Sequence, residues 1–218
     1  MAQSTARRKQ SGPMSARQRR QDARDAAVKA RRNQNMLVIG AGVALVAIVA
    51  FFIYLNVRSR APMAGEEVFN SQGNSHIQYG SRSPIEYNST PPSSGPHYDN
   101  LAAWNVYTEP IRYEQLNHNL EDGGVIIYYQ CPDGCPELFD ELKAMAEPYI
   151  NAGRHVVMAP NDPAWSIDGS EPLHKDMGAS IALVSWQHVL KLDEFDQGRI
   201  RAFIEKYEGI DHHVGATG

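Results

Sequence analysis

The chain has 218 residues, 42% of them apolar, with 21 Lys/Arg against 25 Asp/Glu for a formal net charge of −4. That length accommodates one domain of ordinary size with appendages. There is no nucleotide-binding glycine loop, no Gly-x-Ser-x-Gly elbow and no His-Glu-x-x-His helix, which excludes the enzyme classes those motifs mark.

Charge is distributed unevenly. Residues 1–35 hold ten Lys/Arg and two Asp, which leaves 11 Lys/Arg against 23 Asp/Glu for the rest. The basic stretch, rich in Gln, Ser, Ala and Arg, shows no apolar face and is expected to be disordered or a frayed helix. Residues 36–55, MLVIGAGVALVAIVAFFIYL, carry no charge. At ~1.5 Å per residue they reach ~30 Å, the thickness of a bilayer core. The apolar region of a signal peptide is shorter, about 7–15 residues, and Pro62 spoils the small-x-small pattern after it. A single uncleaved transmembrane helix at the cell membrane is therefore expected. By the positive-inside rule the amino terminus is cytoplasmic and the acidic remainder extracytoplasmic. The basic tail is read as a topology signal lying against anionic lipid, with no nucleic-acid partner expected.

Residues 56–74 lack periodicity and read as a linker, and 75–210 as a globular domain. Residues 211–218, with the pair His212 and His213, read as a flexible tail. Residues 75–100 are rich in Ser, Pro, Gly and Asn, yet include His76, Tyr79, Tyr87, His97 and Tyr98. So many aromatic side chains imply irregular chain packed across the domain. Residues 104–117 read as loop, with a short strand or helical turn around Val106 and Ile111.

From there the alternation of apolar patterns predicts a strand over 125–129, a helix over 136–150 and a strand over 155–159. A long loop follows, then strands over 180–186 and 188–192 and a closing helix over 196–207. The fold expected is α/β: a transmembrane helix, then a small mixed-sheet domain ordered βαβ and then ββα. That is the order of a thioredoxin-like core without the usual helix between its halves.

Both cysteines, Cys131 and Cys135, leave the strand 125–129 and meet the start of a helix. Open α/β sheets place chemistry at that junction. Outside a membrane, two cysteines four positions apart most simply close a disulfide. A soft-metal pair and a redox-active pair are the alternatives, since thiolates near a helix amino terminus have lowered pKa values. His97 follows a rigid Pro-Ser-Ser-Gly-Pro segment, and His118 precedes the central strand. Imidazole and thiolate together suit zinc or copper, and Met158 or Met177 would favour Cu(I). The candidate metal set is Cys131, Cys135, His118 and His97, with copper delivery or sequestration as the leading function. The alternatives are a thiol–disulfide oxidoreductase, or a non-catalytic interaction domain with a structural disulfide that binds another envelope protein. Glu121 and Asp122, read as extended chain, would point to opposite faces, with Glu121 still able to reach the cluster.

Three segments carry a family resemblance: PPSSGPHY at 91–98, HNLEDGG at 118–124 and RIRAFIEKY at 199–207. In this order they resemble a bacterial family of membrane-anchored domains of unknown function, number three-one-zero-five. The family pattern reads HNLEHGG, and here Asp122 replaces the second histidine. The resemblance implies a membrane anchor and a domain spanning roughly 75–207, and it implies no activity. Locally, CPDGCP at 131–136 is similar to the CPDxCP turn of Sco-type copper chaperones, in which two cysteines and a distant histidine hold copper.

Overall fold

The computed structural model describes residues 15–213 and divides into two units, Met1–Ala61 and Pro62–Gly218. The first 14 residues of the basic stretch, and 214–218 of the expected tail, lie outside the described residues. Among the described residues the first unit holds the helix α1 (Ala16–Arg60). It is long and apolar enough to cross a membrane, and Leu45 and Phe52 are among its exposed side chains. The helix begins well before the uncharged run: residues 16–35 are helical, because their Ala, Arg, Lys and Gln are good helix formers. The Ser15 hydroxyl accepts the Gln18 N–H (3.3 Å) and caps its start.

The second unit is a mixed α/β domain. Its elements run β1 (Glu66–Val68), β2 (His76–Ile77), β3 (His97–Tyr98), α2 (Tyr113–Glu121), β4 (Val125–Tyr129) and α3 (Pro136–Asn151). They continue through β5 (Val156–Pro160), β6 (Ile181–Ser185), β7 (His188–Leu192) and α4 (Gln197–Tyr207). The main sheet has the order β1-β7-β6-β4-β5, and β2 pairs with β3 apart from it. β4 and β5 are parallel, in register Ile127↔Met158, and α3 crosses between them. β6 runs antiparallel to β4 and to β7, and a two-residue turn with Gln187 at φ 69° closes the β6–β7 hairpin.

Strand alternation produces two cores. All five residues of β4 are buried. Val125, Ile127 and Tyr129 pack with Leu142 of α3 and with Ile200, Phe203 and Ile204 of α4. Ile126 and Tyr128 face the other way, toward Leu116 and Leu120 of α2. A strand covered on both faces reads as a continuous apolar run, which is what residues 125–129 display. Pro136 occupies the first turn of α3 with Cys135 at its N-cap, and Asp196 caps α4 by accepting the Arg199 N–H (3.0 Å).

β2 and β3 are short strands in a stretch read as irregular chain, and two further elements differ from the expectation. β1 lies in the stretch read as a linker and pairs antiparallel with β7, Glu66 opposite Leu190. Its Glu66 carboxylate is held by His188 Nδ1 (2.6 Å) and the Tyr207 hydroxyl (2.5 Å). A three-residue Glu-Glu-Val strand secured by its side chains carries no apolar alternation to detect. The other is α2, which occupies residues read as loop. Leu116 and Leu120 are fully buried on it, but so are the polar Asn117 and Asn119. Asn119 Nδ2 donates to Ala102 O and its Oδ1 accepts the Ala102 N–H, both at 2.8 Å. Buried amides paired with backbone gave this helix the composition of a loop.

Candidate metal centre

Two neighbouring segments assemble the site. The parallel β2–β3 pair sets His76 in register with His97, and the last turn of α2 presents His118 and Glu121. Residues three apart on a helix share a face, so His118 and Glu121 turn together toward the histidines of β2 and β3. The three imidazoles form a triangle, with ring centroids 5.1 Å apart for His76–His97, 5.4 Å for His76–His118 and 5.2 Å for His97–His118. One ligand atom from each of His76, His97, His118 and Glu121 lies within 4.8 Å of all the others. His97 and Glu121 are buried at 0% and 1% exposure, His118 nearly so, and His76 opens to solvent.

Hydrogen bonds define which nitrogen of two rings faces inward. His97 Nδ1 lies 2.8 Å from Gly95 O, and His118 Nδ1 lies 2.7 Å from Tyr98 O. A carbonyl only accepts, so each Nδ1 carries the proton and each Nε2 of the neutral ring keeps a lone pair. Gly95 makes the first contact possible. Its φ is +111°, and a Cβ there would meet the Tyr87 ring at 3.0 Å. His76 is oriented likewise, its Nδ1 3.1 Å from Asp99 Oδ1. Imidazoles oriented through Nδ1 by oxygen acceptors are the usual outer arrangement of metal-ligating histidines.

His97 Nε2 sits 2.9 Å from Glu121 Oε2, yet both atoms are buried without a hydrogen-bond partner. The other carboxylate oxygen, Oε1, accepts from Asn74 Nδ2 (2.5 Å). Burial lowers the pKa of His97, against the raising influence of the Gly95 carbonyl and the Glu121 charge, and so favours the neutral ring. A lone pair therefore faces a carboxylate oxygen across 2.9 Å at a buried position, which is costly without a cation between or beside them.

The cysteines are elsewhere. Cys131 and Cys135 form a disulfide at the exit of β4 and the start of α3, whereas His118 precedes the entry to β4. Five strand residues separate the two ends, ~17 Å at ~3.3 Å each. The structure thus brings His97 and His118 together and adds His76 and Glu121, while the cysteines lie at the far end of the strand. Nothing around His76 in sequence marks it as a ligand. Only its register with His97 does. Glu121 and Asp122 fall at a helix end rather than in extended chain, so Asp122 caps α2 and comes within 3.7 Å of His118 Nε2.

Fold and site together define an α/β domain that carries a buried histidine–carboxylate cluster and follows an apolar helix. The family described as Protein of unknown function (DUF3105) matches residues 78–217, and the chain belongs to that family. No curated protein and no solved structure matches the chain. His97, His118 and Glu121 lie within the matched residues, and His76 just precedes them.

Proposed function

We propose that this is a membrane-tethered, extracytoplasmic metal-binding domain that holds one divalent ion through His76, His97, His118 and Glu121. The observation that carries the reading is the buried, unpartnered pair His97 Nε2 and Glu121 Oε2 at 2.9 Å. Two donors ~2.1 Å from one ion are separated by about 3.0–3.4 Å at angles between 90° and tetrahedral, close to this spacing. Three imidazoles and a carboxylate suit zinc first, with Cu(II) next. Cu(I), favoured by thiolates, fits this set less well, since both sulfurs are bound to each other. The open side at His76 gives an ion a route in and out, in keeping with sequestration or delivery at the cell envelope. A second envelope protein would then donate or receive the ion.

The test uses the full chain in detergent, stripped of metal and titrated with Zn(II), Cu(II) and Cu(I) against a chromophoric chelator. We expect one Zn(II) per chain, with His97→Ala and Glu121→Gln each weakening it by at least ~10–100-fold. A wild-type chain that takes up no Zn(II) or Cu(II), or variants that bind as tightly as wild type, would remove the site.

A further inference from the structure

The segment after α4 packs beside this cluster. Gly209 N–H donates to Gly123 O (2.8 Å) and His212 N–H donates to Glu121 O (2.9 Å). The backbone of Ile210 lies so close to Gly123, itself at φ +77°, that a Cβ there would meet it at 2.9 Å. The His212 ring stacks on Trp186 (centroids 5.9 Å, 24°), and Trp186 also meets the edge of the His97 ring (6.3 Å). Residues 209–213 are thus strapped onto the end of α2 and the loop that follows it, where Glu121 and Asp122 lie.

At the end of this strap His213 repeats the pattern of the cluster histidines. Its Nδ1 lies 2.7 Å from Asp211 Oδ1, an orienting carboxylate of the kind that fixes a ligating imidazole. Its Nε2 points at two carboxylates, 3.4 Å from Asp122 Oδ1 and 3.5 Å from Glu121 Oε2. His118, Asp122 and His213 form a second group whose ligand atoms lie within 4.8 Å of one another. It shares His118 with the first group and touches Glu121. The unpartnered buried Glu121 Oε2 therefore lies between His97 on one side and His213 on the other.

Resting on the metal reading above, we propose that residues 209–213 form a metal-controlled latch in which His213 joins the bound ion and locks the strap against the Glu121 side of the site. The strap's backbone bonds hold it in position, and its exposed imidazole supplies the contact that depends on the ion. Coupling of this kind is reciprocal: if docking of His213 tightens the ion, the ion must tighten the strap by the same factor. A closed latch slows release of the ion, and a partner that lifts the strap would speed it.

Two measurements on the full chain in detergent test this together. His213→Ala, at an exposed position, is expected to weaken Zn(II) binding by about 5–150-fold. Zn(II) is expected to slow amide hydrogen exchange at Gly209 and His212 in the wild type, and to leave both amides unchanged in His213→Ala. Zn(II) affinity within about twofold of wild type in the variant, with strap exchange indifferent to Zn(II), would overturn the latch while leaving the four-residue site intact. Failure of the wild type to bind Zn(II) would overturn both.

Discussion

His174 is a buried histidine whose neutral form is expected to weaken the domain in acid. Its Nε2 lies 2.9 Å from Ile111 O, and so carries the proton, while its Nδ1 accepts the Asp162 N–H (3.2 Å). The ring stacks on Tyr113 at 4.3 Å and meets Trp165 edge-on. Both nitrogens are thus satisfied by the neutral form, and a second proton on Nδ1 would break the bond from Asp162. Burial pushes its pKa down from 6.5 to about 4, against the raising influence of the Ile111 carbonyl and Asp162. For a base with a lowered folded-state pKa, the unfolded chain takes up the proton first. The contribution of His174 to stability is therefore expected to be full above the unfolded value and to be lost as pH falls from about 6.5 to about 4, by on the order of 3 kcal/mol. His174→Gln, which can still donate and accept, is expected to flatten that decline. Urea unfolding of the metal-free protein at several pH values in this window would check it. An undiminished decline in the variant would mean that other groups cause it. None of this was visible in the sequence, where His174 has no motif around it. The same holds for His76, whose role follows from one register position opposite His97.

Among the elements, legibility tracked apolar pattern. β4, β6 and β7, and the helices α3 and α4, announce themselves by runs and spacings of Val, Ile, Leu and Phe, and they lie within a residue or two of where periodicity puts them. α2 and β1 were hidden because their burial is achieved with Asn, Glu and His side chains bonded to backbone or to one another. The candidate site inherits both outcomes. The HNLEDGG segment drew attention to His118, but its helical form alone turns Glu121 onto the same face.

The β4–α3 junction also drew attention, through its two cysteines, and there the structure separates sulfur from imidazole. This has a measurable consequence. The disulfide closes a five-residue loop, whose lost chain entropy is worth about 2 kcal/mol. The double variant Cys131→Ser, Cys135→Ser is therefore expected to lower Tm by roughly 4–8 °C and to leave Zn(II) affinity unchanged, because the cluster lies at the opposite end of β4. Calorimetry and the chelator titration on the same protein check the two halves. Loss of Zn(II) binding in a folded double variant would return the thiols to the metal site.

At the scale of the whole molecule, the division into an apolar helix and an α/β domain was the most legible feature, because it rests on composition alone. Twenty uncharged residues follow ten Lys/Arg, and most of the acidic side chains come after them. In α1 that composition gives an exposed apolar surface that includes large side chains such as Leu37, Val46 and Phe52. Burying each against lipid rather than water is worth about 1.5–3 kcal/mol. The helix is therefore expected to remain with membranes washed at alkaline pH. The basic residues on its amino-terminal side would hold that end in the cytoplasm. With that orientation, a protease added to intact spheroplasts should digest residues of the α/β domain and spare an epitope placed before Ser15. Replacing Arg17, Arg19, Arg20, Arg24, Lys29, Arg31 and Arg32 with Gln should convert part of the population to the inverted, protease-protected form. Release of the protein by the alkaline wash would rule out a spanning anchor. An unaltered protection pattern in the Gln variant would show that something other than this charge sets the orientation. Either result would bear on the metal site, since an extracytoplasmic cluster exchanges ions with the envelope and a cytoplasmic one with the cell interior.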